Sequence, residues 1–404
     1  MDIEKIQKDF PILSQKINGK KLIYLDNSAT THKPKQVIDS FVKYYSQMNS
    51  NVHRSVHFLS KQSSNAFESV RKKIKDFINA KKEEEIVFTS GTTESINLVA
   101  DSFGNAFIKK GDEIIISEME HHSNIVPWQI LCKKKNAKLK IIPFDDSGKL
   151  RIDKFRNLIT DKTKIVSLTY ISNVLGIINP VKEIIKLAHE KEIPVMIDGA
   201  QAVQRIPIDV QDLDCDFFVF SGHKMYAGTG IGVLYAKEKW LKLMPPYKYG
   251  GGMISKVSFD ETIFAEIPFK FEAGTSNISA VISLGIAIDY LNKIGIKKIQ
   301  KHEKNLTKEA YEKLSKIKGL KIYGGPSERC GVISFNLDNI HHYDAVSIID
   351  KMGIALRSGS HCAEPIMQHY NINGCIRASF AIYNSKNDID RLIQAIERLK
   401  DVYE

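Results

Sequence analysis

The chain has 404 residues, 43% of them hydrophobic and 26% charged, the composition of a globular protein long enough for more than one domain. No apolar run is long enough to form a membrane-spanning helix, and the five scattered cysteines (Cys132, Cys215, Cys330, Cys362 and Cys375) form no CxxC pair, which argues against a zinc ribbon and a disulfide framework. The formal net charge of +11 comes from lysines spread along the chain rather than from one basic arm, so it reads as compositional bias and not as a nucleic-acid surface.

The N-terminal stretch MDIEKIQKDFPIL carries early acids and no apolar centre. It resembles neither a secretory leader nor an Arg-rich transit peptide, and the expected location is the cytoplasm. Helical spacing of Phe67, Val70, Ile74, Phe77 and Ile78 predicts a helix over Ala66–Ile78. Short apolar runs then predict strands at Ile86–Thr89, Glu113–Ser117, Lys138–Pro143, Ile165–Tyr170, Val195–Asp198, Phe217–Ser221 and Ile231–Tyr235. Amphipathic stretches such as Ser95–Phe103 and Val181–Glu190 lie between them. Nearly continuous apolar strands alternating with helices predict an α/β fold with a mostly parallel, doubly wound sheet. Beyond Phe271 the pattern changes to long helices, Ser279–Gly295 and Lys298–Ile317, then strands Lys321–Tyr323 and Gly331–Leu337 and a last helix, Asp388–Tyr403. The expected organisation is a large domain over residues 21–270 and a smaller α/β domain over 271–404, with residues 1–20 packing on the small domain.

Four stretches read as parts of one site. In FTSGTTESINL, a small-residue turn opens a helix whose free N–H groups suit a phosphate, with Thr92 and Thr93 adding hydroxyls; alone it reads equally as an N-cap. In MEHHSNIVPWQ, His121 and His122 follow a strand, where one imidazole suits stacking on a flat ring and proton shuttling. Adjacent histidines point apart and no third ligand is evident, so no metal site is expected. IDGAQAVQ and FSGHKMY place Asp198, Gln201, Ser221, His223 and Lys224 at the carboxyl ends of two strands, where open α/β sheets bind ligands. A desolvated lysine suits Schiff-base chemistry, and a carboxylate one strand away suits a pyridinium nitrogen. Together they point to pyridoxal 5′-phosphate (PLP). Finally, LRSGSHCAEP carries Arg357, His361 and Cys362 on a glycine-flanked turn, expected to be flexible and to present a reactive thiol. Arg377 in RASFAIYN offers a planar fork for a carboxylate.

With YLDNSATT, NVHRSVH, SNVLGIINP and FEAGTSN, these motifs run in order over nearly the whole chain. As a set they resemble the Suf-type cysteine desulfurases, within the class V aminotransferase group of fold-type-I PLP enzymes. The resemblance implies that Lys224 holds PLP as a Schiff base, Asp198 contacts the pyridine nitrogen and His121 stacks on the ring. Thr92, Thr93, Ser221 and His223 would hold the phosphate. Gln201 would contact the ring oxygen, with Asn173 near it and near the substrate carboxylate. Arg377 would bind that carboxylate, with His53 and Arg357 in the same substrate site. Thr275 would reach the phosphate of a neighbouring subunit, implying a homodimer. The implied reaction converts L-cysteine to L-alanine and leaves the sulfur as a persulfide on Cys362. From there it passes to an acceptor protein of the SufE or SufU type and a Suf scaffold for iron–sulfur cluster assembly. One departure is plain: the branch usually has two histidines before the cysteine, and here they are Ser360 and His361. Rival readings are a selenocysteine lyase on the same site, an ordinary aminotransferase, and a non-catalytic basic binding scaffold.

Overall fold

The structure, a computed structural model, describes residues 1–403. Its centre is a seven-stranded sheet built from β1 (Ile86–Thr89), β2 (Glu113–Ser117), β3 (Lys138–Ile142), β4 (Thr163–Thr169), β5 (Val195–Asp198), β6 (Phe217–Ser221) and β7 (Gly232–Ala236), in the order β1-β7-β6-β5-β4-β2-β3. All neighbours are parallel except β7, which runs antiparallel to both β1 and β6. The central strands are buried on both faces, which explains their unbroken apolar runs. Their side chains still alternate: Phe217 and Val219 enter one core, Phe218 and Phe220 the other. β3 is the edge strand, and its polar KLKII sequence leaves it partly exposed.

On one face, α3 (Thr92–Phe107) and α4 (Val126–Lys135) bury Ile96, Val99, Phe103, Trp128 and Leu131 against the sheet. The other face carries α5 (Val181–His189) and, farther out, α1 (Lys35–Lys43), α2 (Phe58–Phe77) and α6 (Ile278–Ile294). α6 packs on α1 and α2. A Cβ on Gly285 of α6 would sit 2.7 Å from Val70 of α2, so that glycine permits the close crossing.

The second, four-stranded sheet is antiparallel, with β8 (Leu320–Ile322), β9 (Val332–Leu337), β10 (Arg357–Gly359) and β11 (Cys375–Ser379) in the order β8-β9-β11-β10. α7 (Ile296–Leu314), α8 (His342–Asp350) and α10 (Lys386–Tyr403) share a core with it, and α9 (Glu364–His369) is a short helix after β10. The 271–404 stretch therefore opens with α6, a helix that sits with α1 and α2, and α7 is the first helix to reach the small sheet. The N-terminal segment touches both sides: Phe10 meets Tyr226, Tyr290 of α6 and Tyr383 edge to face. No single helix among the described residues is long and apolar enough to cross a membrane.

Candidate active site

A cavity of about 240 Å³ opens outside the carboxyl ends of β4, β5 and β6, lined by Thr92, Thr93, His121, Asn173, Asp198, Gln201, Ser221, His223, Lys224, Arg357, Cys362 and Arg377. That placement follows from the topology, because each parallel strand ends where a loop can turn a side chain inward. Thr169 and Asp198, the last residues of β4 and β5, are register partners. β6 ends at Ser221 and runs into a tight turn, Gly222–Lys224. A Cβ on Gly232 would lie 2.4 Å from Gly91, so only glycine lets β7 run beside the turn that opens α3.

At that turn the Thr92 N–H donates to Ser221 Oγ at 2.8 Å, and the two hydroxyls are 2.7 Å apart. The Thr93 and Ser123 hydroxyls also pair, at 2.8 Å. The Ser123 N–H donates to His121 Nδ1 at 3.1 Å, which leaves the ring proton on Nε2. Burial first, then the charge of Lys224, holds the His121 pKa down at about 3, so the ring is neutral. Burial likewise keeps His223 neutral, at about 4.

Asp198 is 4% exposed. Its Oδ1 accepts the Ala200 N–H at 2.9 Å, while Oδ2 has no protein partner among the described residues. Burial raises its pKa, against the opposing pull of the Ala200 N–H and Lys224. Lys224 has its pKa lowered, chiefly by burial and further by Arg377, with Asp198 opposing; its amine donates to no described residue. Gln201 donates to Ser28 O at 2.8 Å.

On the opposite wall, Arg377 is 2% exposed. Nη2 donates to Asp26 Oδ1 at 2.8 Å and Nη1 to Asn173 O at 3.1 Å, while Nε is unpartnered. Arg357 is its register partner on β10 and lies 3.9 Å from the same Asp26. Two guanidinium groups share one carboxylate, leaving net positive charge for an anionic ligand.

The cysteine turn, expected to be flexible, is held by hydrogen bonds. His361 and Cys362 both adopt left-handed backbone, with φ of 56° and 57°. Three bonds hold them there: His122 N–H to Cys362 O at 2.8 Å, Asn173 Nδ2 to His361 O at 2.8 Å, and His361 Nε2 to Cys375 O at 3.0 Å. Ser360 donates to Glu364 at 2.6 Å, and Glu364 pairs with His122. Cys362 is half-buried and lines the same cavity as Lys224, while the other four cysteines are buried.

His53, expected near Arg377, lies outside this cavity, and so does Thr275, expected to serve a neighbouring subunit instead. His53 and Thr275 line a separate cavity of about 180 Å³ with Arg54 and Gly252, and His53 bonds Glu68 at 2.8 Å. Within one chain, His53 therefore does not neighbour Arg377. Sequence reasoning missed Asp26 and Ser123. Asp26 sits inside YLDNSATT, a motif noted without assigning its acid a role.

The residues present fit PLP. One Asp198 carboxylate oxygen is open to a ring N–H, the amine of Lys224 is unengaged, and hydroxyls cluster at the N-terminus of a helix. The aminotransferase class-V model matches residues 23–392. The chain belongs to the class-V aminotransferase family. Within that family, it is 48% identical over 398 residues to a cysteine desulfurase of Escherichia coli O7:K1, covering 98% of each chain. The cysteine desulfurase CsdA of Escherichia coli, solved in an S-sulfonic acid form, superposes with a TM-score of 0.92 at 37% identity, over 100% of this chain and 99% of that one. The apo cysteine desulfurase of Thermococcus onnurineus NA1 gives 0.94 at 40% identity, over 98% and 97%.

Proposed function

We propose that this class-V family member is a PLP-dependent cysteine desulfurase of the Suf-type branch. It converts L-cysteine to L-alanine and carries the sulfur as a persulfide on Cys362 for iron–sulfur cluster assembly. The observation that carries the reading is one cavity shared by Lys224, Asp198, Arg377 and Cys362. An ordinary aminotransferase needs no thiol in that place.

Lys224, Asp198, Gln201, His121 and the Thr92, Thr93, Ser221 and His223 cluster would hold the cofactor, which when bound would supply an electron sink for the pair left on the substrate Cα. Arg377, fixed by Asp26 and Asn173, presents its fork to the substrate carboxylate, with Arg357 beside it. Lys224 Nζ, kept toward the neutral form by burial, takes the Cα proton. His121, neutral with its proton on Nε2, would stack on the cofactor ring and offer that N–H as a hydrogen-bond donor. The Cys362 thiolate attacks the substrate sulfur. A sulfur–sulfur bond forms as the substrate Cβ–S bond breaks, and protons delivered to the carbon skeleton complete L-alanine. L-cysteine plus thiol becomes L-alanine plus persulfide, and no outside oxidant is consumed.

A homodimer is part of the proposal. Its support is the separate His53 and Thr275 cavity, which needs a partner to join a cofactor site, and the exposed apolar side chains Tyr249, Val257 and Phe259 near the Ile254–Phe264 hairpin. A cytoplasmic location agrees with five free thiols. The half-buried Cys362 turn suits hand-over to a SufE- or SufU-type acceptor that reaches in. Mass spectrometry after a single turnover with L-cysteine tests the reading. It predicts one added sulfur atom on the Cys362 peptide and none on Cys132, Cys215, Cys330 or Cys375. Sulfur absent from Cys362 refutes it.

A further inference from the structure

Lys33 belongs to none of the roles above. It follows the YLDNSATT motif and sinks behind the Lys224 turn. Its ammonium donates to His223 O at 2.8 Å, to Thr30 Oγ1 at 3.4 Å and to Thr31 O. The same His223 carbonyl also receives the Thr31 N–H at 3.1 Å and the Thr30 and Thr31 hydroxyls at 3.1 and 3.2 Å. No carboxylate pairs with Lys33 among the described residues. Lys33 is half-buried, and even partial desolvation of a lone cation costs free energy unless an anion offsets it.

The proposed phosphate cradle is short of positive charge in its own side chains. Thr92, Thr93, Ser221 and Ser123 are neutral, and His121 and His223 are held neutral by burial. Arg357 and Arg377 face Asp26 on the far wall. Lys248, near the start of α3, is paired with Glu94. Lys224 is reserved for the cofactor's other end. We propose that Lys33 is a positioning residue for the cofactor: it braces the His223 carbonyl, one residue before Lys224, and supplies from behind His223 the positive charge that retains the cofactor phosphate. This rests on the reading of Thr92, Ser221 and His223 as the phosphate site.

Desolvation lowers the Lys33 pKa to about 7. A bound anion favours its charged form, so binding takes up a proton above that pH and affinity falls as pH rises. The titratable groups around it are His32 and His223, both held at about 4, Lys224, lowered by burial, and Tyr24, raised to about 12 and packed on His32. These, and the cofactor's own titrations, are common to wild type and variants and cancel in an affinity ratio.

The test strips the cofactor from the full chain and measures rebinding of PLP by absorbance between about pH 6 and pH 9, the window that brackets the Lys33 pKa. Lys33→Gln keeps a donor for the His223 carbonyl but no charge. Its affinity is expected to fall about tenfold or more near pH 6.5, one logarithmic unit of linked charge, with the deficit shrinking toward pH 9. Lys33→Arg is expected to hold affinity across the range. Pyridoxal, which lacks the phosphate, should bind wild type and Lys33→Gln alike. Equal PLP affinities near pH 6.5, a deficit independent of pH, or an equal deficit for pyridoxal would each overturn the proposal. If Lys33→Gln does not fold, the alkaline fall in wild type and its absence in Lys33→Arg carry the test, and parallel profiles overturn it. His223→Ala separates the two layers: unaltered PLP affinity there refutes the phosphate site itself, whereas a loss there beside an unaffected Lys33→Gln refutes only Lys33.

Discussion

Replacing Glu303 by leucine should strip the counter-charge from a buried guanidinium. Arg205 follows β5 and Glu303 lies on α7; their side chains are 1% and 0% exposed and directly paired. Arg205 Nη1 also donates to Phe380 O at 2.9 Å, and Nη2 approaches Ser28 Oγ at 3.4 Å and Gln201 Oε1 at 3.5 Å. The pair thus ties the large sheet to α7 and the small sheet just beneath the cavity. Removing one partner of such a pair leaves an uncompensated charge and costs about 3–5 kcal/mol. Replacing both by apolar groups of similar volume removes that charge, leaving the Phe380 carbonyl short of a donor at about 1–3 kcal/mol. The double variant Arg205→Met/Glu303→Leu should therefore recover about 2 kcal/mol relative to Glu303→Leu. Urea unfolding followed by circular dichroism reads both differences. A loss below about 1 kcal/mol for Glu303→Leu, or a double variant less stable than the single, would refute the reasoning.

Arg377→Lys loses the planar fork while keeping charge, so KM for L-cysteine should rise about tenfold or more with PLP content unchanged; an unchanged KM would remove Arg377 from carboxylate binding. Asp198→Asn should still bind the cofactor but slow Cα–H exchange of L-alanine into deuterated water by about 10²-fold or more, the scale of a lost proton-transfer contribution; wild-type exchange would contradict the role given to Asp198. His189 contacts Asp216 at 2.8 Å and Asp214 at 3.1 Å, and the bond to Asp216 raises its pKa. A histidine whose folded pKa is raised contributes stability that is fully present below its unfolded value, about 6.5. That contribution is lost as pH rises through the folded pKa. The stability gap between wild type and His189→Gln should therefore shrink on the alkaline side, and a gap that widened would show the sign to be wrong.

The parallel strands were legible because burial on both faces leaves unbroken apolar runs, and Asp198, Ser221 and Lys224 were legible because they follow such runs directly. The direction of β7 was not, since a strand of GVLYA composition pairs equally well either way. Asp26 gained its role only when Arg357 and Arg377 arrived from the distant β10 and β11. The Cys362 turn looked flexible because glycine and serine precede it. What pins it comes from His122 and Asn173, far away in the chain, and from the buried His361 ring. At position 360, where the resemblance expected a histidine, Ser360 holds Glu364, and Glu364 holds His122. α6 read as the start of a second domain because its apolar pattern is long and continuous, yet its partners are α1 and α2.

The most direct test of the central claim is to incubate the PLP-loaded protein and its Cys362→Ala variant with L-cysteine and a reductant, measuring alanine and sulfide together. Equal yields of the two products from wild type, lost in a variant that still holds its PLP, are what a desulfurase using Cys362 gives. Unchanged alanine and sulfide from the variant would contradict it.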